Sequence, residues 1–170
     1  MPIDRNYDSL EEALRDIEFS HEDEFIGHYF EISSTNYTTE HLYCYFTRFM
    51  EWLSSKAQQK DVDAGIITEI NYMIWELMKN AHRSAMTKYP EGRFRTKVFL
   101  GSKGVLVGTE QETEFLTREQ IDLLMQGKNV PSTKPENSIA GMGTRILVNY
   151  GKGVFISEEE KAVYFSRFFS

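Results

Sequence analysis

The segment IITEINYMIWELMKNAHRSAM, residues 66–86, carries isoleucine, leucine or methionine at almost every third or fourth position. This spacing is that of one buried helix face, so the segment predicts a long helix. Thr39–Lys60 has the same periodicity and predicts a second long helix immediately before it. Residues 61–65 separate the two with aspartates and a glycine, which interrupt a helix. The sequence therefore predicts two consecutive helices joined by a short connection.

Strands are predicted on both sides of this helical pair. The aromatic segment FIGHYFEI, residues 25–32, predicts a strand before the helices. After them, Arg93–Leu100 and Gly104–Thr109 predict a β-hairpin around the turn at residues 101–103. The remaining predicted elements are a helix over 117–126, a polar loop over 127–140, a helix over 142–150 and a hairpin with strands at 154–156 and 162–168.

The order of these elements predicts the fold class. Strands and helices occur in separate runs, which favours an α+β sandwich over a doubly wound parallel sheet. We divide the chain into an acidic N-terminal arm, residues 1–24, and one domain, residues 25–170. The arm contains a predicted helix over Ser9–Phe19, capped by Ser9. Two roles are open for the arm, a dimer contact and packing on the edge of the sheet.

Composition limits the classes of function. The chain has 170 residues and a net charge of -7, which argues against nucleic-acid binding through a basic surface. Its sequence has no apolar run of the roughly 18–20 residues that span a bilayer, and its acidic N-terminus lacks a signal-peptide core. These features favour a cytoplasmic protein that does not act at a membrane. Cys44, the single cysteine, lies in an apolar helical run and is interpreted as a core residue.

The first candidate site lies on the predicted helix 66–86. Glu76 and Asn80 are four positions apart and share one helix face. A carboxylate and an amide oxygen can hold a hydrated Mg²⁺, and Glu76 can also act as a general base. Arg83 adds a positive charge that can meet a phosphate. The alternative interpretation is a solvated polar stripe.

The second candidate site is Gly141-Met142-Gly143-Thr144, where two glycines open a predicted helix. Glycines let backbone N–H groups approach an anion, and the helix N-terminus adds a partial positive charge. Lys128 and Lys134, in the preceding loop, are candidates to reach the phosphates. The alternative is an ordinary loop-to-helix turn.

Together the two candidates resemble known sequence boxes. ELMKNAHRSA, residues 76–85, resembles the N box of the GHKL (histidine-kinase-like) ATPases, and residues 141–168 resemble their closing glycine-helix-hairpin segment. The resemblance implies that Asn80 coordinates Mg²⁺, that Glu76 is the base and that Arg83 lies near the phosphates. It also implies that residues 127–140 form the ATP lid.

The resemblance carries expectations about fold and activity. The fold would be a two-layer α/β sandwich with a mixed, mostly antiparallel sheet and helices on one face. ATP and Mg²⁺ would be the cofactors. The chain is most similar to the small anti-sigma-factor-type Ser/Thr kinases, which phosphorylate a partner protein in bacterial signalling. A partner protein is therefore expected, and a homodimer is a further arrangement that the sequence leaves open.

Two departures from the family pattern concern the adenine pocket. Gly108 stands where the family has the aspartate of its D-x-G-x-G motif, and Glu110 is the nearest carboxylate. Residues 161–165 lack the threonine that supports this aspartate. Each hydrogen bond to a charged group is worth about 1.5–3 kcal/mol, so the affinity for ATP would fall about tenfold to a hundredfold. A degenerate scaffold that binds a partner without nucleotide is therefore the main alternative, and adaptation to another ligand is a third.

Overall fold

A computed structural model of the chain describes residues 3–32, 38–87, 92–111, 117–126, 147 and 149–170. These residues form an α+β fold. The helices are α1 (Leu10–Asp16), α2 (Thr39–Lys60), α3 (Ala64–Met86) and α4 (Arg118–Met125), and Leu147, Asn149 and Tyr150 are also helical. The strands are β1 (Arg5–Asn6), β2 (Phe19–Ile26), β3 (Phe30–Glu31), β4 (Arg93–Gly101), β5 (Gly104–Gln111), β6 (Gly153–Ser157) and β7 (Ala162–Phe168).

The described strands form one mixed sheet in the order β1-β6-β7-β5-β4-β2, and β3 also pairs with β4. Only the β1–β6 pair is parallel among them, and every other pair is antiparallel. This confirms the predicted mixed, mostly antiparallel sheet. The two predicted hairpins are also confirmed, because β4 pairs with β5 and β6 pairs with β7.

Alternation along the strands gives the sheet two different faces. We call one the helix face, because its side chains form the large core with α2 and α3; they include Phe94, Val98, Val107, Val163 and Phe165. Ile121 of α4 joins the same cluster. We call the other the N-terminal face; its smaller cluster joins Phe99, Leu106 and Tyr164 to Ala13 and Ile17 of α1.

The position of α1 differs from the predicted arrangement. We expected all helices on one face, and α1 instead covers part of the N-terminal face. Tyr7 holds this region together, since its hydroxyl donates to Asp16 Oδ2 at 2.6 Å and lies 3.1 Å from Ser166 Oγ on β7. Because β1 pairs with β6 at the sheet edge, the arm packs there. The domain boundary at residue 25 stays a prediction.

Capping residues explain where several helices begin. Ser9 Oγ accepts a hydrogen bond from Glu12 N, as predicted for α1. Thr117 and Gln120 form a reciprocal capping box at the start of α4, with N to side-chain oxygen distances of 3.0 and 3.2 Å. The bounds of α2 agree with the prediction at both ends. No helix in the described part of the chain has the length and hydrophobicity needed to cross a membrane.

The predicted strand over residues 25–32 is two strands, β2 and β3. Between them Tyr45 of α2 inserts its hydroxyl, which donates to His28 O at 2.8 Å and accepts from Thr96 N at 3.2 Å. A Cβ at Gly27 would lie 2.3 Å from that hydroxyl oxygen, so a larger residue here would displace the Tyr45 side chain. The chain therefore bends around Tyr45 instead of continuing as one strand.

Cys44 is exposed, so its interpretation as a core residue was wrong. The buried side of α2 contains Leu42, Tyr45, Phe46 and Phe49. Position 44 is rotated by about 100° from position 45 and about 200° from position 42, which turns its side chain toward solvent. An apolar neighbourhood in sequence did not mean a buried position.

Candidate functional site

Three of the predicted site residues lie along one side of α3. Glu76, Asn80 and Arg83 occupy positions i, i+4 and i+7, so they follow one another up the helix. The opposite side of α3, with Ile74 and Met78, packs into the core. The Glu76 side chain is 12% exposed, Asn80 is half-buried and Arg83 is exposed. The stripe thus runs from a mostly buried carboxylate to an exposed guanidinium along the 23-residue helix α3.

The contacts within this stripe leave several groups available. Lys79 Nζ lies 2.7 Å from Glu76 Oε1 and 5.9 Å from the centre of the Trp75 ring. Within the residues that the structure describes, the side chains of Asn80 and Arg83 form no hydrogen bond or ion pair. An amide oxygen beside a carboxylate is a suitable ligand pair for Mg²⁺, which prefers oxygen and keeps several waters. The arrangement can therefore hold a hydrated cation with anions attached.

A cavity of about 480 Å³ lies next to this stripe, between the first residues of α2 and the last turns of α3. Thr39 and Leu42 line it from α2. From α3 it is lined by Lys79, His82, Arg83, Met86 and Thr87. Arg83 thus borders both the cavity and the Glu76–Asn80 stripe, whereas neither Glu76 nor Asn80 lines the cavity.

Glu110 lies on the N-terminal face, away from α3. It is directly opposite Arg95 on β4, in the set of alternating positions that includes Leu106. Its carboxylate accepts from Tyr29 Oη at 2.8 Å and Arg95 Nε at 2.9 Å, and lies 3.0 Å from Lys97 Nζ. These three donors outweigh partial burial and hold the pKa of Glu110 below its usual range.

The surroundings of Glu110 are a polar cluster on one end of the N-terminal face. The guanidinium groups of Arg93 and Arg95 lie over the Tyr29 ring, at 4.2 and 4.7 Å from its centre. Lys97 completes the cluster. The structure does not bring Glu110 together with Glu76 and Asn80, and its role in nucleotide binding stays a prediction.

Gly108, the position at which the family has its aspartate, also lies on the N-terminal face. It is directly opposite Tyr164 on β7, and a Cβ at Gly108 would lie 2.3 Å from an atom of the Tyr164 ring. Helix-face positions of β5 are Val107 and Thr109, both buried. A carboxylate at position 108 would therefore point away from α3.

The second candidate site lies outside the described residues. This concerns Lys128, Lys134, Gly141, Met142, Gly143 and Thr144, together with the predicted lid over residues 127–140. The predictions for these residues stand unchanged. Among the described residues, no three histidine, cysteine, aspartate or glutamate side chains come together as a metal site.

The sequence analysis did not predict two features, the polar cluster around Glu110 and the cavity between α2 and α3. The cluster around Glu110 could have been found from the hairpin turn, since pairing Gly101 with Gly104 already places Arg95 opposite Glu110. Alternation then puts Lys97 on the same face. The cavity had no such signal, because it depends on how the first turn of α2 meets the end of α3.

Comparison with known proteins adds no assignment. A scan against protein-family models found no matching family, and a search of curated proteins found no similar sequence. The resemblance to the GHKL ATPases therefore rests on the residues described above.

Proposed function

We propose that this chain is an ATP- and Mg²⁺-binding regulatory protein of the histidine-kinase-like ATPase fold, and that it phosphorylates a serine or threonine of a partner protein. The observation that carries the proposal is the α3 stripe, where Glu76 and Asn80 stand side by side with Arg83 one turn further on. The mixed antiparallel sheet behind two long helices is the architecture that the resemblance implies. ATP is abundant in the cytoplasm, which is the location we propose.

The residues present fit Mg²⁺ and ATP. Asn80 would offer its amide oxygen to a hydrated Mg²⁺, with Glu76 as the adjacent carboxylate. Arg83 would contact a phosphate, because its guanidinium presents donors that match phosphate oxygens. ATP would supply the phosphoryl group for transfer. The fit is supported by the absence of competing side-chain partners for Asn80 and Arg83 within the described ranges.

The protein's contribution to phosphoryl transfer would be positioning and electrostatics. Glu76 is held at 2.7 Å by Lys79, which fixes the direction of its carboxylate. A hydroxyl of the partner protein placed beside Glu76 would give up its proton there. Because α3 is anchored along its length in the core, the groups would be held without reorganisation.

The experiment is a thermal unfolding measurement with and without Mg-ATP. A ligand at about 100 times its Kd stabilises by about 2.7 kcal/mol, which is about 5–10 °C in Tm for a chain of this size. We expect this shift in the wild type and its loss in Asn80→Ala. Asn71→Ala is the matched control, because it is the same substitution on the same helix, one turn before Trp75, which packs against Phe46 of α2.

The outcome separates structural damage from loss of ligand. Asn71→Ala should keep the Mg-ATP shift, whatever its own Tm. An equal shift in Asn80→Ala and wild type would contradict the assignment of Asn80. If Asn80→Ala loses the shift, a second experiment tests the kinase activity. Transfer of labelled phosphate from ATP to a co-expressed partner protein, lost in Glu76→Gln, would establish it.

A degenerate scaffold that binds a protein without nucleotide is the second candidate. The observation that favours it is the commitment of Glu110 to Tyr29, Arg95 and Lys97, which occupies most acceptor positions of the carboxylate nearest to Gly108 in the sequence. Its expected result is no thermal shift at millimolar Mg-ATP in either protein. A clear wild-type shift would reject it.

A further inference from the structure

The cavity between the start of α2 and the end of α3 has the dimensions of a ligand site. Its volume of about 480 Å³ lies within the range of roughly 300–1,000 Å³ that is usual for small-molecule pockets. The described residues that line it belong to the two long helices or directly follow α3, and both helices are anchored in the core nearby, through Leu42 and Ala85.

The chemistry of the walls is uneven. Leu42 and Met86 form an apolar part, and Leu42 is only 1% exposed. Lys79 and Arg83 bring two positive charges to the same cavity. None of the described residues that line it is acidic, although the whole chain has a net charge of -7. Charge complementarity thus favours an anion at this place.

Lys79 remains able to bind an anion although it pairs with Glu76. Its ammonium has three donors, and the contact to Glu76 Oε1 at 2.7 Å occupies one of them. Arg83 forms no ion pair with any residue in the described ranges. Two cations four positions apart on one helix can therefore contact the same anionic group.

This cavity adjoins the proposed nucleotide site but differs from it in its lining. Lys79, Arg83 and Met86 occupy positions i, i+4 and i+7 on the side of α3 that faces the start of α2. Glu76 and Asn80 lie on the neighbouring side and do not line the cavity. Arg83 alone borders both.

We propose that this cavity binds a small organic anion, a phosphate monoester or carboxylate that carries an apolar group. The anionic group contacts Lys79 and Arg83, and the apolar group packs on Leu42 and Met86. Thr39 and Thr87 also line the cavity; the Thr87 hydroxyl donates to Ser84 O at 2.6 Å and keeps its acceptor positions. The proposal does not depend on ATP binding elsewhere in the protein.

The test is a titration with phenyl phosphate, followed through the methyl resonance of Met86 in methionine-labelled full-length protein. We expect saturable binding with a Kd of about a millimolar, since the probe is small. Lys79→Gln should weaken binding by about fivefold, because it removes one charged donor at a partly exposed position. Lys103→Gln is the matched control: its lysine also pairs with a glutamate, Glu18 at 3.0 Å, but lies in the β4–β5 turn.

A second variant places a negative charge in the cavity without harming the fold. Thr39→Glu adds a carboxylate in the first turn of α2, where helices favour acidic residues. We expect it to remove phenyl phosphate binding while Tm is kept. Asn80→Ala should leave binding unchanged, which separates this site from the nucleotide site.

Three results would overturn the proposal. One is the absence of a saturable Met86 shift. Another is loss of binding in Asn80→Ala, which would place the anion at the nucleotide site. The third is equal affinity for inorganic phosphate and phenyl phosphate, which would indicate an adventitious ion only, with no contribution from Leu42 and Met86.

Discussion

Each side of this molecule carries a glutamate that we predicted from the sequence to take part in nucleotide binding or catalysis. The two glutamates differ in the number of groups that contact their carboxylates. Glu76, on α3 above the helix face, has one ion-pair partner among the described residues, Lys79. Glu110, on the N-terminal face, has three donors in Tyr29, Arg95 and Lys97. Their side chains are similarly buried, at 12% and 17% exposed. Burial alone therefore does not distinguish them.

The difference lies in how far each carboxylate is saturated. An ionised carboxylate has about four acceptor positions, and Glu110 uses three of them inside the protein. Glu76 keeps most of its acceptor positions for a water, a cation or a substrate hydroxyl. We infer that Glu110 stabilises the fold and that Glu76 is available for chemistry. The predictions below test this contrast between the two faces.

The largest expected effect concerns the packing of the N-terminal face at Gly108. In Gly108→Ala the new Cβ meets the ring of Tyr164, which is itself fully buried. We expect a loss of about 2–3 kcal/mol in the free energy of unfolding, because an overpacked core forces strain into its neighbours. Urea unfolding monitored by circular dichroism measures it.

Gly65→Ala is the control for this prediction. Its new Cβ meets only a flexible carboxylate oxygen of Asp63, at 2.9 Å, and alanine favours the helix. A variant Gly108→Asp sharpens the comparison, since it introduces the aspartate of the GHKL motif on the face away from α3. It should be destabilised, and its Tm shift with Mg-ATP should be no larger than that of the wild type. A stable Gly108→Asp with stronger ATP binding would contradict the assigned faces.

Helix bounds could be predicted from the sequence more accurately than strand bounds and the faces of the sheet. The bounds of α2 could be predicted because its periodic apolar positions end at Asp61, which takes a left-handed conformation. The pair β4 and β5 could be predicted from alternation around one turn. The strand β2 began six residues earlier than predicted, because its acidic first half, Ser20–Glu24, has the composition of a loop.

The site was predictable only where it depended on one element. Glu76, Asn80 and Arg83 share a helix, so their spacing fixed their common side. Whether Glu110 faced them depended on the register of two strands. The parallel contact of the two-residue strand β1 with β6 depended on tertiary packing, because a strand of that length has no pattern of its own.

The next effect concerns the charge of Glu110. Glu110→Gln leaves Arg95 and Lys97 without their carboxylate, and we expect a loss of about 1–2 kcal/mol at neutral pH. The control is Glu76→Gln, which removes one partly exposed ion pair and should cost less than about 1 kcal/mol. Equal losses in the two variants would contradict the contrast.

The pH dependence gives an independent measurement of the same contact. The folded-state pKa of Glu110 is lowered from its ordinary value of 4.5 by its three donors. A lowered pKa means that the contribution to stability is fully present above 4.5 and is lost as the pH falls through the folded-state value. The stability difference between wild type and Glu110→Gln should therefore shrink as the pH falls below 4.5. A difference that stayed constant down to about pH 3 would contradict the assigned partners.

The smallest expected effect is a gain in stability rather than a loss, and it concerns Asn71 on the side of the molecule that carries α2 and α3. Asn71 of α3 has a buried Oδ1 that accepts no hydrogen bond within the described part of the chain. One turn further on, Trp75 packs against Phe46 of α2 at 5.0 Å between ring centres, so Asn71 lies on the same side. An unsatisfied buried acceptor costs about 1 kcal/mol or more.

Replacing this amide should therefore stabilise the protein. Asn71→Leu removes the acceptor and adds a better helix former, and we expect a gain of about 1 kcal/mol, seen as a higher urea midpoint with an unchanged slope. Asn71→Asp should act in the other direction, because it places a charge where none of the described residues donates to the Asn71 oxygen. Destabilisation by Asn71→Leu would contradict this prediction. It would mean that the Asn71 amide makes a stabilising polar contact between the two long helices.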